Sequence, residues 1–189
     1  MTPFEFAMGL ITIIVGVAVS DIAVSAHRLL RQGRSVHWDA RVIGTGAFAF
    51  LLVLQLWFMT WTIRDLSGGF AFPLYLALLI QLFVASLIAS ASLPDEPVID
   101  LAAFYDHNAR YFWSLTTIFQ LISLVLGAYF AAHDGALRDA LPFLALWGLP
   151  LAMALVLALR PRGRILHLVL TAASILFILI YYWKWTLRS

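Results

Sequence analysis

"FAMGLITIIVGVAVSDIAVSAHRLL", residues 6 to 30, decides the fold. Its first thirteen residues, Phe6 to Ala18, carry no charge, and the only charged groups in the whole stretch are Asp21 and Arg28. A membrane-spanning helix needs about 20 mostly apolar residues, so the stretch predicts a span whose inner end carries an acid. The preceding "MTPFEF" has no basic residue and contains Glu5, unlike the start of a secretory signal. A retained first span is therefore expected.

The remainder of the 189 residues supports a lipid environment. The chain is 63% hydrophobic and 12% charged, with a mean hydropathy of +0.94. A soluble domain is closer to half apolar and a quarter charged. A folded chain of this length leaves a third or so of its surface exposed, so one aqueous core cannot hide the surplus. There is no cysteine, which excludes disulfides, thiol nucleophiles and thiolate metal sites. The net charge of +2 is modest, and no basic cluster points to nucleic acid.

Six stretches are long and apolar enough to span: Phe4–Leu30, Val42–Ile63, Phe70–Ala91, Phe112–Ala132, Leu141–Leu159 and Ile165–Trp183. None shows the strict alternation of a membrane β-strand. The expected fold is all-α and polytopic: six transmembrane helices in one bundle, forming a single domain over residues 1–189. Between spans three and four, Pro97 behind Asp95 and Glu96 resembles a helix start. It predicts a short interfacial helix carrying Val98 to Tyr105.

Basic residues set the orientation. Arg28, Arg31, Arg34, Arg41, Arg110, Arg160, Arg162 and Arg164 flank loops one, three and five. Arg64, Arg138, Lys184 and Arg188 lie on the opposite side. That asymmetry predicts an integral protein of a bacterial inner membrane, with those loops cytoplasmic and both termini outside. Trp38 and Trp113 are expected as inner interfacial anchors, and Trp183 and Trp185 as outer ones.

Several positions are candidate sites. Thr2, Glu5, Gly9, Thr12, Gly16 and Ser20 fall on one stripe of the first helix. Small residues let helices approach in lipid, and the same stripe suits a polar path. Asp21 lies one step off it. A carboxylate in a span wants a partner, and Arg28, Arg41, Arg110 and Arg164 are available on that side; an ion pair fixing helix order is the plainer expectation, and proton or cation handling the sharper one. Gln55, Gln81 and Gln120 each need an interhelical partner or form part of the path. Gly148 and Pro150 predict a kink in span five. In the third loop Asp95, Glu96, Asp100 and Asp106 outweigh Arg110; this suits protein contact, either with arginines of loops one and five or with a docked partner.

No metal site is expected and no cofactor is predicted, the one alternative being a haem held axially by His27 and His167. No HExxH, GxSxG, Walker or GxGxxG motif occurs, so no enzyme is expected. The Ser20–Asp21 pair is too short to carry a family resemblance. The expected function is a small multipass channel or transporter for a cation or small polar solute, using the polar face of the first helix. The alternative is a non-catalytic scaffold or accessory subunit that docks a partner through the acidic third loop. The expected partners are the lipid bilayer and a second copy or another membrane protein, with no nucleic acid.

Overall fold

The structure is a computed structural model and describes residues 3–62, 72–96, 99–133 and 135–182. Thr2, Arg64, Pro97, Val98, Trp183, Lys184, Trp185 and Arg188 lie outside the described residues. Six helices form: α1 (Pro3–Gln32), α2 (Ala40–Thr62), α3 (Phe72–Ser92), α4 (Leu101–His133), α5 (Leu137–Leu159) and α6 (Arg164–Tyr182). All six are long and apolar enough to cross a membrane.

α2 touches α1, α3, α4 and α6, while α3, α4, α5 and α6 contact in sequence. Among the described helices α1 packs chiefly on α2 and α3. Two glycines seat the neighbours of α2. A Cβ on Gly46 would sit 3.0 Å from the Leu93 side chain, and one on Gly44 would sit 3.3 Å from that of Thr171. One cluster of buried apolar side chains draws on all six helices, with Ile11, Leu52, Ile88, Trp113, Leu157 and Ile178 among them.

α1 and α4 have 30 and 33 residues, which at 1.5 Å per residue makes them roughly 45 to 50 Å long. A hydrocarbon core is about 30 Å thick, so both helices project beyond it. The expected separate helix before span four does not form. Its described part, from Leu101 on, is instead the opening of α4, eleven residues before the expected start of the span. The cause is Asp100, whose Oδ1 accepts hydrogen bonds from the Ala102 and Ala103 amides at 2.9 and 3.2 Å, an N-cap. The cap is also tied to loop one: the His37 amide donates to the Ile99 carbonyl at 2.7 Å, and the Leu101 amide to the His37 carbonyl at 3.2 Å. At the other end α4 closes on Gly135, whose φ of 68° permits a C-terminal turn. There the Ala136 amide reaches the Ala131 carbonyl and the Gly135 amide the Ala132 carbonyl, a Schellman pairing. Trp113 is wholly buried against Phe48 and Phe112, so it is a core residue and no interfacial anchor. Trp38 is exposed.

Candidate functional site

The densest polar arrangement lies where loops one, three and five meet, and Arg41 is its centre. Asp39 caps α2, its Oδ1 accepting from the Arg41 amide at 2.8 Å. The Arg41 guanidinium returns across the same turn, Nε to Asp39 Oδ1 and Nη2 to Oδ2, both at 3.1 Å. This is a two-point fork, which suits guanidinium geometry. Arg41 Nη1 donates to Asp106 of α4 at 2.6 Å, and the guanidinium carbon stands 4.6 Å from the centre of the Tyr105 ring. Asp39 is buried to 3% exposure, whereas Asp106 is 61% exposed. The first pair is therefore a desolvated one and the second a screened one. Arg164 approaches Asp39 Oδ2 at 3.9 Å from α6. The hydrogen bonds from Arg41, above all, hold the Asp39 carboxyl below the ordinary aspartate range against the opposing effect of burial.

Tyr105 extends the cluster inward. The Trp113 Nε1–H donates to its hydroxyl at 3.0 Å, and the hydroxyl lies 2.6 Å from His167 Nδ1. On the far side of the imidazole, Nε2 lies 2.7 Å from the Arg160 carbonyl. A carbonyl can only accept, so Nε2 carries the proton. In the neutral ring Nδ1 then carries only a lone pair, so the Tyr105 O–H donates to it while the Tyr105 oxygen accepts from Trp113. Neutral His167 thus satisfies every group in a one-way chain from Trp113 through Tyr105 and His167 to Arg160. Both nitrogens of His167 are engaged, leaving none for a haem iron, and His27 is exposed on α1. Among the described residues no group of three or more potential ligands is placed to hold a metal.

The stripe on α1 is on the other side of the molecule. Ile11, Val15, Ala18, Ile22, Ser25 and Leu29 form the buried face, whereas Glu5, Gly9, Thr12, Gly16 and Ser20 are all exposed. A Cβ on Gly9 or Gly16 would meet nothing within 4 Å. Among the described residues the stripe is on the outward side of α1. Asp21 is half-buried, and among the described residues it is the acceptor in no ion pair or hydrogen bond, so the expected ion pair does not form. The groups in line with it turn to loop three instead. Ser25 Oγ donates to Asp95 Oδ1 at 3.3 Å, and Arg28 Nη1 donates to the Asp95 carbonyl at 2.7 Å.

Three of the four acids of loop three are thereby engaged within the chain: Asp95 meets α1, Asp100 caps α4 and Asp106 pairs with Arg41. Glu96 is exposed. The glutamines diverge. Gln81 Nε2 donates to Ser123 Oγ at 2.6 Å, joining α3 to α4. Gln55 Nε2 lies 3.9 Å from the Met59 sulfur, and its side chain also meets the Tyr182 hydroxyl. The Gln120 Oε1 is buried with no hydrogen-bond partner. α5 is helical from Leu137 to Leu159 with Pro142 and Pro150 inside it; Pro150 has no N–H to donate to the Leu146 carbonyl, so the ladder lacks one bond at mid-helix.

The residues that sequence reasoning passed over are Asp39, Tyr105 and the inward role of His167. "HWDARV", residues 37 to 42, carried a signal for the first, since an aspartate directly before an apolar helix is an N-cap pattern. No family model, no curated protein and no solved structure matches the chain.

Proposed function

We propose that the chain is a non-enzymatic integral membrane subunit that works by association through the outward face of α1, in the first instance with a second copy of itself. One observation carries this reading: Gly9, Thr12, Gly16 and Ser20 form an exposed, small-sided stripe on a helix whose opposite face is packed. Lipid gains nothing from such a stripe, whereas a second helix gains close backbone approach. Docking through loop three is less supported, because three of its four acids are engaged within the chain. The arginine excess at the end bearing loops one, three and five favours placing that end in the cytoplasm of a bacterial inner membrane, with both termini outside.

A second reading is favoured by Asp21. A half-buried carboxylate in a span, with no partner among the described residues, is costly unless water or another chain meets it. A polar path for a cation or small solute, shared between copies along the Glu5 to Asp21 face, would supply that water. The protein has no cysteine, so Gly16→Cys gives a clean cross-linking probe in membranes. A disulfide-linked dimer from Gly16→Cys, with none from Val169→Cys on the exposed face of α6, is expected; equal yields from both sinks the association reading. Cation flux in liposomes that disappears in Asp21→Asn supports the shared path, and absence of flux in the unmodified chain removes it.

A further inference from the structure

We propose that the cleft between the C-terminal end of α3 and the first turns of α4 binds a phospholipid whose headgroup carries a primary ammonium. The cleft holds about 290 Å³. Its α4 wall is the stripe Phe104, His107, Asn108 and Tyr111, at spacings that share one helix face. Its α3 wall runs from Leu87 through Ser90, and Asp95 stands at the mouth.

The lining is graded along the helices. α3 rises towards loop three and α4 descends from it, so Asp95 lies at the loop end while Leu87 and Tyr111 lie deepest. Below them the same two faces continue in exposed apolar side chains, Phe83 on α3 and Ile118 on α4. A polar mouth above an apolar track is the shape of one lipid standing upright, its head at the mouth and its chain along Phe83 and Ile118.

The chemistry of the mouth selects the headgroup. The Asp95 carboxylate accepts one long hydrogen bond, from Ser25 at 3.3 Å, and a carboxylate has about four acceptor positions. A primary ammonium supplies N–H donors to the positions left over, whereas a quaternary ammonium has none to give. Glu96, exposed beside Asp95, adds negative charge that repels an anionic head.

The test uses the purified full chain in detergent, offered equal amounts of phosphatidylethanolamine, phosphatidylcholine and phosphatidylglycerol with identical chains, and counts retained lipid by native mass spectrometry. The expected result is a preference of about tenfold for phosphatidylethanolamine, the size of one charge-assisted hydrogen bond. Asp95→Asn, which keeps an oxygen for Ser25, should bring the three lipids to parity. Leu87→Trp, which fills the deep end, should remove all three. Equal retention by the unmodified chain overturns the proposal, as does a preference for phosphatidylglycerol. So does a preference for phosphatidylethanolamine that survives Asp95→Asn or Leu87→Trp. Lipid retention is read on single chains, so it stands or falls separately from association through α1.

Discussion

Asp39 and Asp21 stand near the same end of the molecule, each beside a long apolar helix, and their surroundings differ in kind. Asp39 is almost wholly buried, forked by Arg41 and approached by Arg164. Asp21 is half-buried on a flank of α1, and the serine and arginine in line with it have turned to Asp95. The first carboxylate belongs to a closed network joining α2, α4 and α6. The second is left for something beyond its own chain. Burial with satisfied hydrogen bonds marks a group that holds the fold; outward placement without them marks a group that the fold does not need.

The largest expected effect comes from breaking the closed side. Arg41→Met removes the fork on Asp39 and leaves that buried carboxylate only the exposed Arg164 at 3.9 Å as counter-charge, a loss of up to about 3–5 kcal/mol. Unfolding in mixed detergent micelles measures it. A loss under about 1 kcal/mol would mean that Asp39 is reached by water and that the network is ornamental. Asp106→Asn on the same arginine should cost far less, since that carboxylate is largely solvated.

Acid probes the same contrast without mutation. The folded-state pKa of Asp39 is lowered, chiefly by its hydrogen bonds from Arg41. A lowered carboxylate contributes stability that is present in full above its unfolded value, about 3.9, and is lost as pH falls through the folded value. Stability should therefore hold from neutrality to about pH 4 and decline below it, with the decline much reduced in Asp39→Asn. A decline of the same size in that variant would assign the acid sensitivity to other carboxylates.

A smaller effect separates two glutamines of similar burial. Gln81 donates to Ser123 across helices, so Gln81→Leu should cost about 0.6–1.7 kcal/mol, the range of interhelical hydrogen bonds in lipid. Gln120 carries a buried carbonyl oxygen with no partner, so Gln120→Leu should be neutral or stabilising by comparison. Equal losses at the two positions would show that the amides contribute by packing alone.

How much of this was readable in the sequence follows from the range of the forces involved. The six spans were, because lipid selects on local composition over a window of about 20 residues. The start of α4 was not: Pro97 mimicked a helix start, while the cap at Asp100 depends on pairing with His37, far away in the chain. Arg41 was counted only as a charge and offered to Asp21, yet its partner stood two residues away in Asp39. His167 was read only as a candidate axial haem ligand, because nothing local announces that Tyr105 and the Arg160 carbonyl will take both its nitrogens. The α1 stripe was plain as a pattern, but periodicity fixes which residues share a face and not what that face meets.

The smallest stability effect belongs to Asp21, and its smallness is what makes it informative. Asp21→Asn removes a charge that has no partner among the described residues of its own chain, so detergent unfolding should change by no more than about 0.5 kcal/mol. The same substitution acts differently once copies meet. Parallel copies joined along α1 bring their Asp21 side chains to one level, where like charges repel. If the interface is dry, Asp21→Asn should therefore strengthen the dimer that Gly16→Cys reports. If water lines the interface, the charges are screened and the yield should stay level while flux falls. A large loss of stability in the single chain would contradict both outcomes, because it would mean that Asp21 is held from within after all.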